Sequence, residues 1–499
     1  NRDVRDHNIN LNLAMNANED ESKSENYSYI GFPSPQFHDP RYANGLLNTP
    51  YFSDDHSRLF GAILQGNYTY KDTYLFDLSV RADGSSKFGS ESRFAPFWSF
   101  GAGVNLHRYA FMQAHPSVTN ARLKANYGQT GRVSFSPYAA RHTYQLMMDD
   151  WYTTGLGGSL IAMGNEQLTW DNVNTLNLGL DLTLWNRFTI NLSWYDKRTK
   201  DMVTSVSIPS SSGFTTYTDN IGEVSNKGFE FILNLALLQQ KDWSINLSAN
   251  GAHNKNRIVK VSDALKQYND RVDEFYSGYR DTYLNLYYNE KYLNPIRKYE
   301  EGGSEYAIFG MKSLGISPEN GAELFMKRDG TVTHDWSSDQ QVIIGNTEPA
   351  LQGALALNAR YKAFTLYTTF LYEFGGDLYN ATLVSNVESA NIQQNNADRR
   401  AFTERWKKPG DITPFKAITD RYVFTLPTSR FVQKNNTLTF NSLSLGYDMP
   451  RELTRKLHLS MLRLQFTMND IAVLSTIRQE RGTSYPFARK FGLTLNASF

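Results

Sequence analysis

Cysteine is absent from the 499 residues, which removes disulfides, thiolate metal sites and cysteine nucleophiles together and leaves the redox compartment open. The chain also lacks an excess of either charge: 51 basic and 50 acidic side chains give a formal net charge of +1. That balance excludes a nucleic-acid binder relying on a basic field, and an acidic disordered tail. No run approaches the ~18 continuous apolar residues of a helical membrane span, and mean hydropathy is −0.50, so a helix-bundle membrane protein is excluded. Aromatics, by contrast, are plentiful. The 30 Tyr, 30 Phe and 8 Trp need somewhere to pack, which argues against disorder. The chain opens NRDVRDHNINLNLAM, without an initiator Met or an apolar signal core, and is expected to be part of a longer one.

The dominant period is two. In TLNLGLDLTL, Leu176, Leu178, Leu180, Leu182 and Leu184 share one face, and Thr175, Asn177, Gly179, Asp181 and Thr183 share the other. FEFILNLAL sets Phe229, Phe231, Leu233 and Leu235 against Glu230 and Asn234. The first strand alternates through Ile9, Leu11 and Leu13, and the last through Phe491, Leu493, Leu495, Ala497 and Phe499. Such alternation marks strands whose two faces meet different surroundings.

Very short turns join strand pairs at Lys71-Asp72, Trp185-Asn186-Arg187, Gln239 to Asp242 and Lys362-Ala363. Long polar connections fall near 16–57, 131–172, 201–225, 255–350 and 376–434. Loops of that length are rare in compact soluble domains. Short turns at one end and long loops at the other are the pattern of an outer-membrane barrel, here with about fourteen strands of roughly ten residues. They fall near 3–16, 57–70, 73–84, 95–107, 120–130, 173–184, 187–200, 226–237, 242–254, 351–361, 364–375, 435–449, 458–470 and 488–499. In 435–449 the apolar phase changes between Phe440 and Leu443, which predicts a bulge near Asn441-Ser442. A soluble sandwich also alternates. Against it stand the five long loops and the aromatics near strand ends (Tyr68, Tyr70, Tyr74; Trp194, Tyr195; Tyr367, Tyr372), where an interfacial girdle belongs.

Eight or more segments, in order, resemble the SusC/RagA-type (Bacteroidetes-type) family of TonB-dependent outer-membrane transporters. YTYKDTYLFDLSVRADGSSKFG (68–89) and RFAPFWSFGAGVNL (93–106) are similar to that family's hairpin and RxDGSSxFG loop. ARLKANYGQTG (121–131), NEQLTWDNVNTLNLGLDLTL (165–184), WYDKRTKDMV (194–203) and NIGEVSNKGFEFIL (220–233) follow. Then come IIGNTEPALQGALALNARYKAFTL (343–366), RWKKPGDIT (405–413) and YPFARKFGLTLNASF (485–499). Arg132 stands where the family usually has Asn. KRDGTVTHDWSSDQQVIIGN (327–346) departs from the family's DxNGDGxID-like turn, and no metal is expected there.

The resemblance implies an all-β fold: a transmembrane antiparallel β-barrel with about 14 strands present of a 22-strand barrel, and the plug domain not in this chain. It also implies active import of an oligosaccharide or oligopeptide across the outer membrane of a Gram-negative bacterium. The implied partners are a SusD-like lipoprotein, a plug-bearing N-terminal segment or separate chain, the TonB complex reached through that segment, and outer-membrane lipid. No cofactor and no nucleic acid are implied. A passive porin and a soluble or surface-anchored glycan-binding β-protein are the alternatives.

Enzyme chemistry finds no foothold. There is no HExxH, Walker loop or G-x-S-x-G elbow, and GAGVNL (101–106) places its glycines within a strand. His107 and His115 lie around a predicted turn. Asp149-Asp150 and Glu300-Glu301 are sequence neighbours in loops and point apart. The Asp83-Gly84-Ser85-Ser86 stretch is expected to form a structural turn, with Asp and Ser bonding nearby backbone. Ligand contacts are expected from loop aromatics with polar neighbours: Trp151, Tyr152, Tyr217, Tyr283, Tyr287 and Trp336. Phe499, a terminal aromatic closing an alternating strand, resembles the signal read by the bacterial barrel-assembly machinery.

Overall fold

A computed structural model describes residues 2–4, 6–36, 39–48, 50–89, 92–133, 135–153, 155–207, 216–220, 222–277, 294–390, 398–418, 425–477 and 489–499. Fourteen long strands run through it. The first five are β1 (His7–Asn26), β2 (Tyr51–Tyr70), β3 (Tyr74–Ser85), β4 (Phe94–Asn105) and β5 (Val118–Arg132). Next come β6 (Asp171–Leu184), β7 (Phe188–Lys200), β8 (Glu223–Gln239) and β9 (Trp243–Lys260). The last five are β10 (Leu351–Tyr361), β11 (Phe364–Tyr379), β12 (Val432–Asp448), β13 (Met461–Ser475) and β14 (Lys490–Ser498). All lie in one antiparallel sheet in chain order, with a three-residue piece, Arg2–Val4, folded back on the start of β1. The reading of 3–16 as one strand is thereby corrected, because the chain reverses between Val4 and His7.

A single sheet is not a sandwich. Its apolar rows face outward: Leu11, Leu13, Phe491 and Leu493 are each more than two-thirds exposed. The rows match across strands, Leu178 opposite Ala125 and Trp194, and Phe231 opposite Leu192. Lipid is the medium that suits such a face.

The short connections all lie at one end. Lys71 and Asp72 both have positive φ (52° and 50°), as do Trp185 and Asn186 (51° and 55°). This left-handed geometry suits tight hairpins because its twist matches that of the strands. Aromatic pairs ring this end: Tyr70 with Tyr74, Trp185 with Phe188, Trp243 with Tyr361 and Phe364 with Tyr447. Two expected girdle members are placed otherwise. Tyr195 donates to Asn254 Oδ1 at 2.9 Å, and Tyr367 stands opposite Asn358 and Ser444 on the polar face. Adjacent strand residues point to opposite faces, so Trp194 and Tyr195 cannot share one.

The expected bulge is present. Thr369 pairs with Ser442 and Phe370 with Phe440, leaving Asn441 extra. This keeps Phe440 and Leu443 on the same face despite the phase change.

At the other end the strands run past the apolar band. β1 continues to Asn26 and β2 starts at Tyr51, so the first long loop is 27–50 rather than 16–57. The other long loops span 133–170, 201–222, 261–350 and 380–431. Backbone pairing does not require alternation, and NANEDESKSEN is polar on both faces. The buried clusters lie at this end, in the loops and the strand ends beneath them. Phe88, Phe97, Leu168 and Trp170 form one; Val384, Val387, Phe415 and Phe431 form another. Hydrophobic burial within the protein is thus concentrated in the loop layer, while the wall presents its apolar side outward.

Candidate functional site: the polar face and the loop layer

The inward face of the wall is built from small and amide side chains. Along β9, Asn246, Ser248, Asn250, Asn254 and Asn256 alternate with the outward row. Ser248 donates to Asn234 Oδ1 at 2.8 Å, and Asn254 and Asn256 both donate to Asn226 Oδ1 at 3.0 Å. Several charges on this face are paired, Lys124 with Asp181 at 2.9 Å and Arg463 with Asp448 at 2.6 Å, and Arg122 donates to Asn105 Oδ1 at 2.8 Å. A face of amides, hydroxyls and paired ions hydrates easily and offers hydrogen bonds to a neutral polar solute without a strong field of either sign.

Above it, the sequence motifs work as fasteners. Phe88 of the DGSSKFG stretch is fully buried and lies 4.5 Å from Trp170, centroid to centroid. Trp170 Nε1 donates to Ser92 O at 3.1 Å. The buried Asp171 carboxylate accepts the Val203 amide at 2.8 Å. Asn220 closes a reciprocal pair with the Thr169 backbone at 2.9 Å each way. Glu348 of the IGNTEP stretch accepts from the Asn256 amide at 3.0 Å and from Asn254 Nδ2 at 2.5 Å. In RWKKPGDIT, Asp411 Oδ2 accepts the Lys407 and Lys408 amides, and Trp406 Nε1 donates to Pro318 O at 3.1 Å.

The expected turn at Asp83-Gly84-Ser85-Ser86 is corrected: residues 83–85 complete β3. Asp83 binds the Arg81 guanidinium at 2.5 Å rather than backbone. Ser86 does meet backbone, its Oγ accepting the Arg58 amide at 2.9 Å. Gly84 packs under the Phe94 ring with no room for a Cβ.

Within loops 261–350 and 380–431, a buried charge cluster joins three segments. Arg430 NH2 lies 2.7 Å from Glu323 Oε2 and 2.6 Å from Glu388 Oε1, and these side chains are 10%, 7% and 0% exposed. Burial opposes the Arg430 charge, but the Glu388 and Glu323 carboxylates outweigh it and hold the guanidinium above its ordinary pKa. Thr428 donates to Glu323 Oε1 at 2.7 Å. Nearby, Arg405 gives its guanidinium to the backbone carbonyls of Ala401, Lys416, Val387 and Glu388 at 2.6–3.0 Å. Burial pulls its pKa down, opposed by Glu388. Sequence reasoning missed Glu323, Glu388 and Arg430; no spacing marks them. Arg405 lies in a motif, but its role did not follow from it.

Of the expected ligand contacts, Trp336 is committed to loop packing. Its Nε1 donates to Pro427 O at 2.9 Å, and its ring lies 5.1 Å from that of Tyr276. Trp151 and Tyr152 end the strand Thr143–Tyr152, which pairs with Gly155–Ala162, and Tyr217 pairs with Val206 in a second loop hairpin. Tyr283 and Tyr287 lie outside the described residues. The structure does not gather the six into one pocket. Phe499, 98% exposed, follows β14 on the side of Phe491 and Leu493. Among the described residues, no group of three or more His, Asp or Glu side chains is placed to hold a metal ion.

Comparisons with known proteins agree with this architecture. The family model described as "TonB dependent receptor-like, beta-barrel" matches residues 2–337, and the chain belongs to that family. It is 27% identical over 470 residues to TonB-dependent receptor P3 of Formosa agariphila, covering 88% of this chain and 45% of that protein. It is 27% identical over 345 residues to TonB-dependent receptor SusC of Bacteroides thetaiotaomicron, covering 66% and 33% respectively. Among solved structures, the RagAB peptide importer in the open-open state is similar in fold, with a TM-score of 0.79 and 21% identity. That match covers 99% of this chain and 53% of the RagAB chain. The chain therefore spans about half the length, or less, of these relatives.

Proposed function

We propose that this chain is the C-terminal part of the wall of an outer-membrane importer. In this reading it takes up an oligosaccharide or oligopeptide under TonB control in a Gram-negative bacterium, with a SusD-like lipoprotein at the extracellular mouth. The observation that carries the reading is the two-faced wall: outward apolar rows and an inward face of amides and matched ions. The sheet also argues for more wall. Beyond His7–Ile9, the outer edge of β1 has no partner among the described residues, and neither does the outer edge of β14. Unpaired backbone groups in hydrocarbon cost several kcal/mol each, on the order given for polar groups without partners. Further strands, from a preceding segment or a separate chain that also carries the plug, complete the barrel. Work is done through that plug, while the wall described here hydrates the passage and excludes lipid.

The loop aromatics Trp151, Tyr152, Tyr217, Tyr283 and Tyr287 stack on a bound ligand, with Trp336 steadying the loop layer beneath them. Phe499 serves the barrel-assembly machinery. The chain has no catalytic role in this reading.

The test is uptake. Cells lacking the receptor are compared with wild type on limiting oligosaccharides and on peptides, with and without a protonophore. Loss of uptake in the deletion strain, and collapse of uptake but not of surface binding with protonophore, support the proposal. Uptake that continues at full rate without a proton gradient identifies a passive porin instead.

A further inference from the structure

Past the apolar band, the outward face of β7, β8 and β9 turns basic, and the strand register fixes where. From Trp243 at the short-turn end to His253, β9 runs about ten residues, the length a tilted strand needs to cross hydrocarbon. His253 stands opposite Phe229, and Phe229 opposite Trp194, so these three form the last outward row of the band. Alternation puts the next outward residues two positions on. They are Asp196, Lys227 and Lys255 in one row across the three strands, then Arg198, Ser225 and Arg257 in the row above.

Residues two apart on a strand lie about 6.8 Å from each other and neighbouring strands about 4.8 Å, so Arg198, Lys227, Lys255 and Arg257 share one patch roughly 10 Å across. Lys227 and Lys255 face each other directly, which is destabilising for like charges. One carboxylate lies among these four cations: Asp196 is 2.7 Å from Lys227 and 3.9 Å from Arg198. Lys255 and Arg257 are exposed and have no ion-pair or hydrogen-bond partner among the described residues. The other carboxylates stand farther out. Glu223 lies opposite Lys200 and Lys260 in the third row. Asp263 is held by Lys266 at 2.9 Å, Glu301 accepts the Val261 amide at 3.1 Å, and Asp201 accepts from Asn172 at 3.0 Å. Glu300, in the turn whose Gly302 amide donates to Ile258 O at 2.8 Å, makes no ion pair with Arg257. The positive excess is thus confined to the two rows that adjoin the apolar band. On β1 and β2 the same level is built differently. Past Met15 and Ala17, Glu19 meets His56 at 2.7 Å and Arg58 at 2.9 Å, and Lys23 meets Glu21 at 2.6 Å. Outward charges are matched there and left open on β7 to β9.

We propose that these two rows bind the phosphate-bearing headgroup of an outer-leaflet lipid, whose acyl chains lie against the outward leucines and aromatics below. Lys255 and Arg257 hold the phosphate, with Arg198 and Lys227 at its flank. Two observations favour a lipid over other anions. The four cations stand on the outward face, away from the passage, where an imported solute does not reach them. They also follow directly on Trp194 and Phe229, so an anion held there has hydrocarbon beneath it, and basic side chains at that level attract charged headgroups. An anion between Lys227 and Lys255 also removes their mutual repulsion. The inference rests on the outer-membrane reading above.

The experiment uses the complete receptor, delipidated in mild detergent and exchanged into phosphatidylcholine vesicles. The vesicles contain either diphosphoryl lipid A or the same lipid A stripped of its phosphates, and native mass spectrometry reads the lipid retained. Retention of the phosphorylated form and loss of the stripped one is the expected result. Lys255→Gln and Arg257→Gln should each weaken retention about fivefold, the equivalent of roughly 1 kcal/mol per basic side chain at a membrane surface, and together about 25-fold. Lys23→Gln, in the matched set on β1, should leave it unchanged. Equal retention of both forms, or unchanged retention in the Lys255→Gln and Arg257→Gln pair, overturns the proposal. So does displacement of the lipid by inorganic phosphate at an equal concentration of phosphate groups, which makes the site one for a free anion. A protein crosslinked through position 255 in intact cells, with no lipid retained, makes the patch a protein contact and overturns it too. The substituted side chains are exposed, so the variants should assemble as heat-modifiable receptor. Such receptor in the outer-membrane fraction without retained phosphorylated lipid defeats this site alone, whereas its absence from that fraction defeats the membrane reading itself.

Discussion

Replacing Arg430 with methionine strips the cation from a cluster that has almost no access to water. Glu323 and Glu388 are 7% and 0% exposed, and each loses an ionic contact of 2.6–2.7 Å. Glu388 Oε2 has no hydrogen-bond partner, and what remains around the two carboxylates is neutral hydroxyls, Thr425 on Glu388 at 3.4 Å and Thr428 on Glu323 at 2.7 Å, with Arg405 already committed to backbone carbonyls. Breaking one side of a buried pair costs about 3–5 kcal/mol, chiefly because the remaining charge stays buried and unmatched. The cost falls on the loop layer: Glu323 begins the short strand Glu323–Met326, Glu388 ends the turn Val384–Glu388, and Arg430 sits in Ser429–Phe431. Hydrogen exchange read by mass spectrometry on the intact receptor should show protection of residues 384–388 and 429–431 falling by roughly two to nearly four powers of ten, at 1.36 kcal/mol per decade. The strands β6 to β9 should keep theirs. Adding Glu323→Gln and Glu388→Gln to Arg430→Met removes the stranded charges and should restore most of the protection. Because the guanidinium's pKa is raised in the folded state, its contribution is complete at every pH below the ordinary arginine value and is lost only as pH climbs through the raised one. Protection in wild type should therefore not track this group from neutral to moderately alkaline pH. Unchanged exchange in Arg430→Met, or a triple variant worse than the single one, would refute the reasoning.

Three further outcomes follow from the geometry. Leu178→Arg, on the outward face between Ala125 and Trp194, should cost about 2–4 kcal/mol if near the bilayer midplane, whereas Asn177→Arg one residue away should be tolerated. Outer-membrane yield of heat-modifiable protein reads the difference, and equal yields count against the two-faced wall. Deleting Asn441 removes the extra residue and leaves the pairings of Thr369 and Phe370 intact, so the barrel should assemble; deleting Ser444 from the regular stretch turns part of β12 inside out and should block assembly. Asp171→Ala leaves the Val203 amide without its carboxylate acceptor at 2.8 Å. At about 1–3 kcal/mol for a stranded buried donor, it should loosen the 201–222 loop, visible as faster limited proteolysis there with the wall unaffected.

The wall was legible because its physics is local. One side chain in lipid and the next facing water leave a period of two in the sequence, and the Phe440-to-Leu443 phase change exposed even the bulge at Asn441. Strand extent was less legible. Past Met15, β1 continues through ten polar or small residues into Asn26; its ladder with β2 persists, but neither face touches hydrocarbon, so alternation carries no information there. Adjacent aromatics also misled: Trp194 and Tyr195 both suggest a girdle by composition, yet the pleat sends only one of them outward. The loop layer was opaque. Arg430 meets Glu323 and Glu388 across 107 and 42 positions, and such a contact leaves no periodic trace.

The motifs that carry the family likeness are largely spent on construction. Phe88, Trp170, Asp171, Asn220, Glu348 and Asp411 each use their polar or aromatic groups within the protein. They lie where long loops leave a wall whose own apolar side faces outward and cannot anchor them. A loop of forty or more residues standing on a lipid-embedded sheet needs its own buried clusters, since the conformational entropy of ordering it must be offset locally. That requirement explains why most of the fully buried side chains among the described residues, Phe88, Leu168, Met311 and Phe431 among them, sit in the loop layer, with Ile258 and Asp171 at the loop ends of β9 and β6. It also divides the labour. Residues fixed by the fastening network are poor places to vary ligand preference, because changing them loosens the loop. Stretches between the fasteners, such as the hairpin Thr143–Tyr152 with Gly155–Ala162, can change side chains at little structural cost. Exposed Tyr144 and Leu146 on that hairpin are of the kind that can be exchanged freely, and selectivity is expected to reside in such stretches.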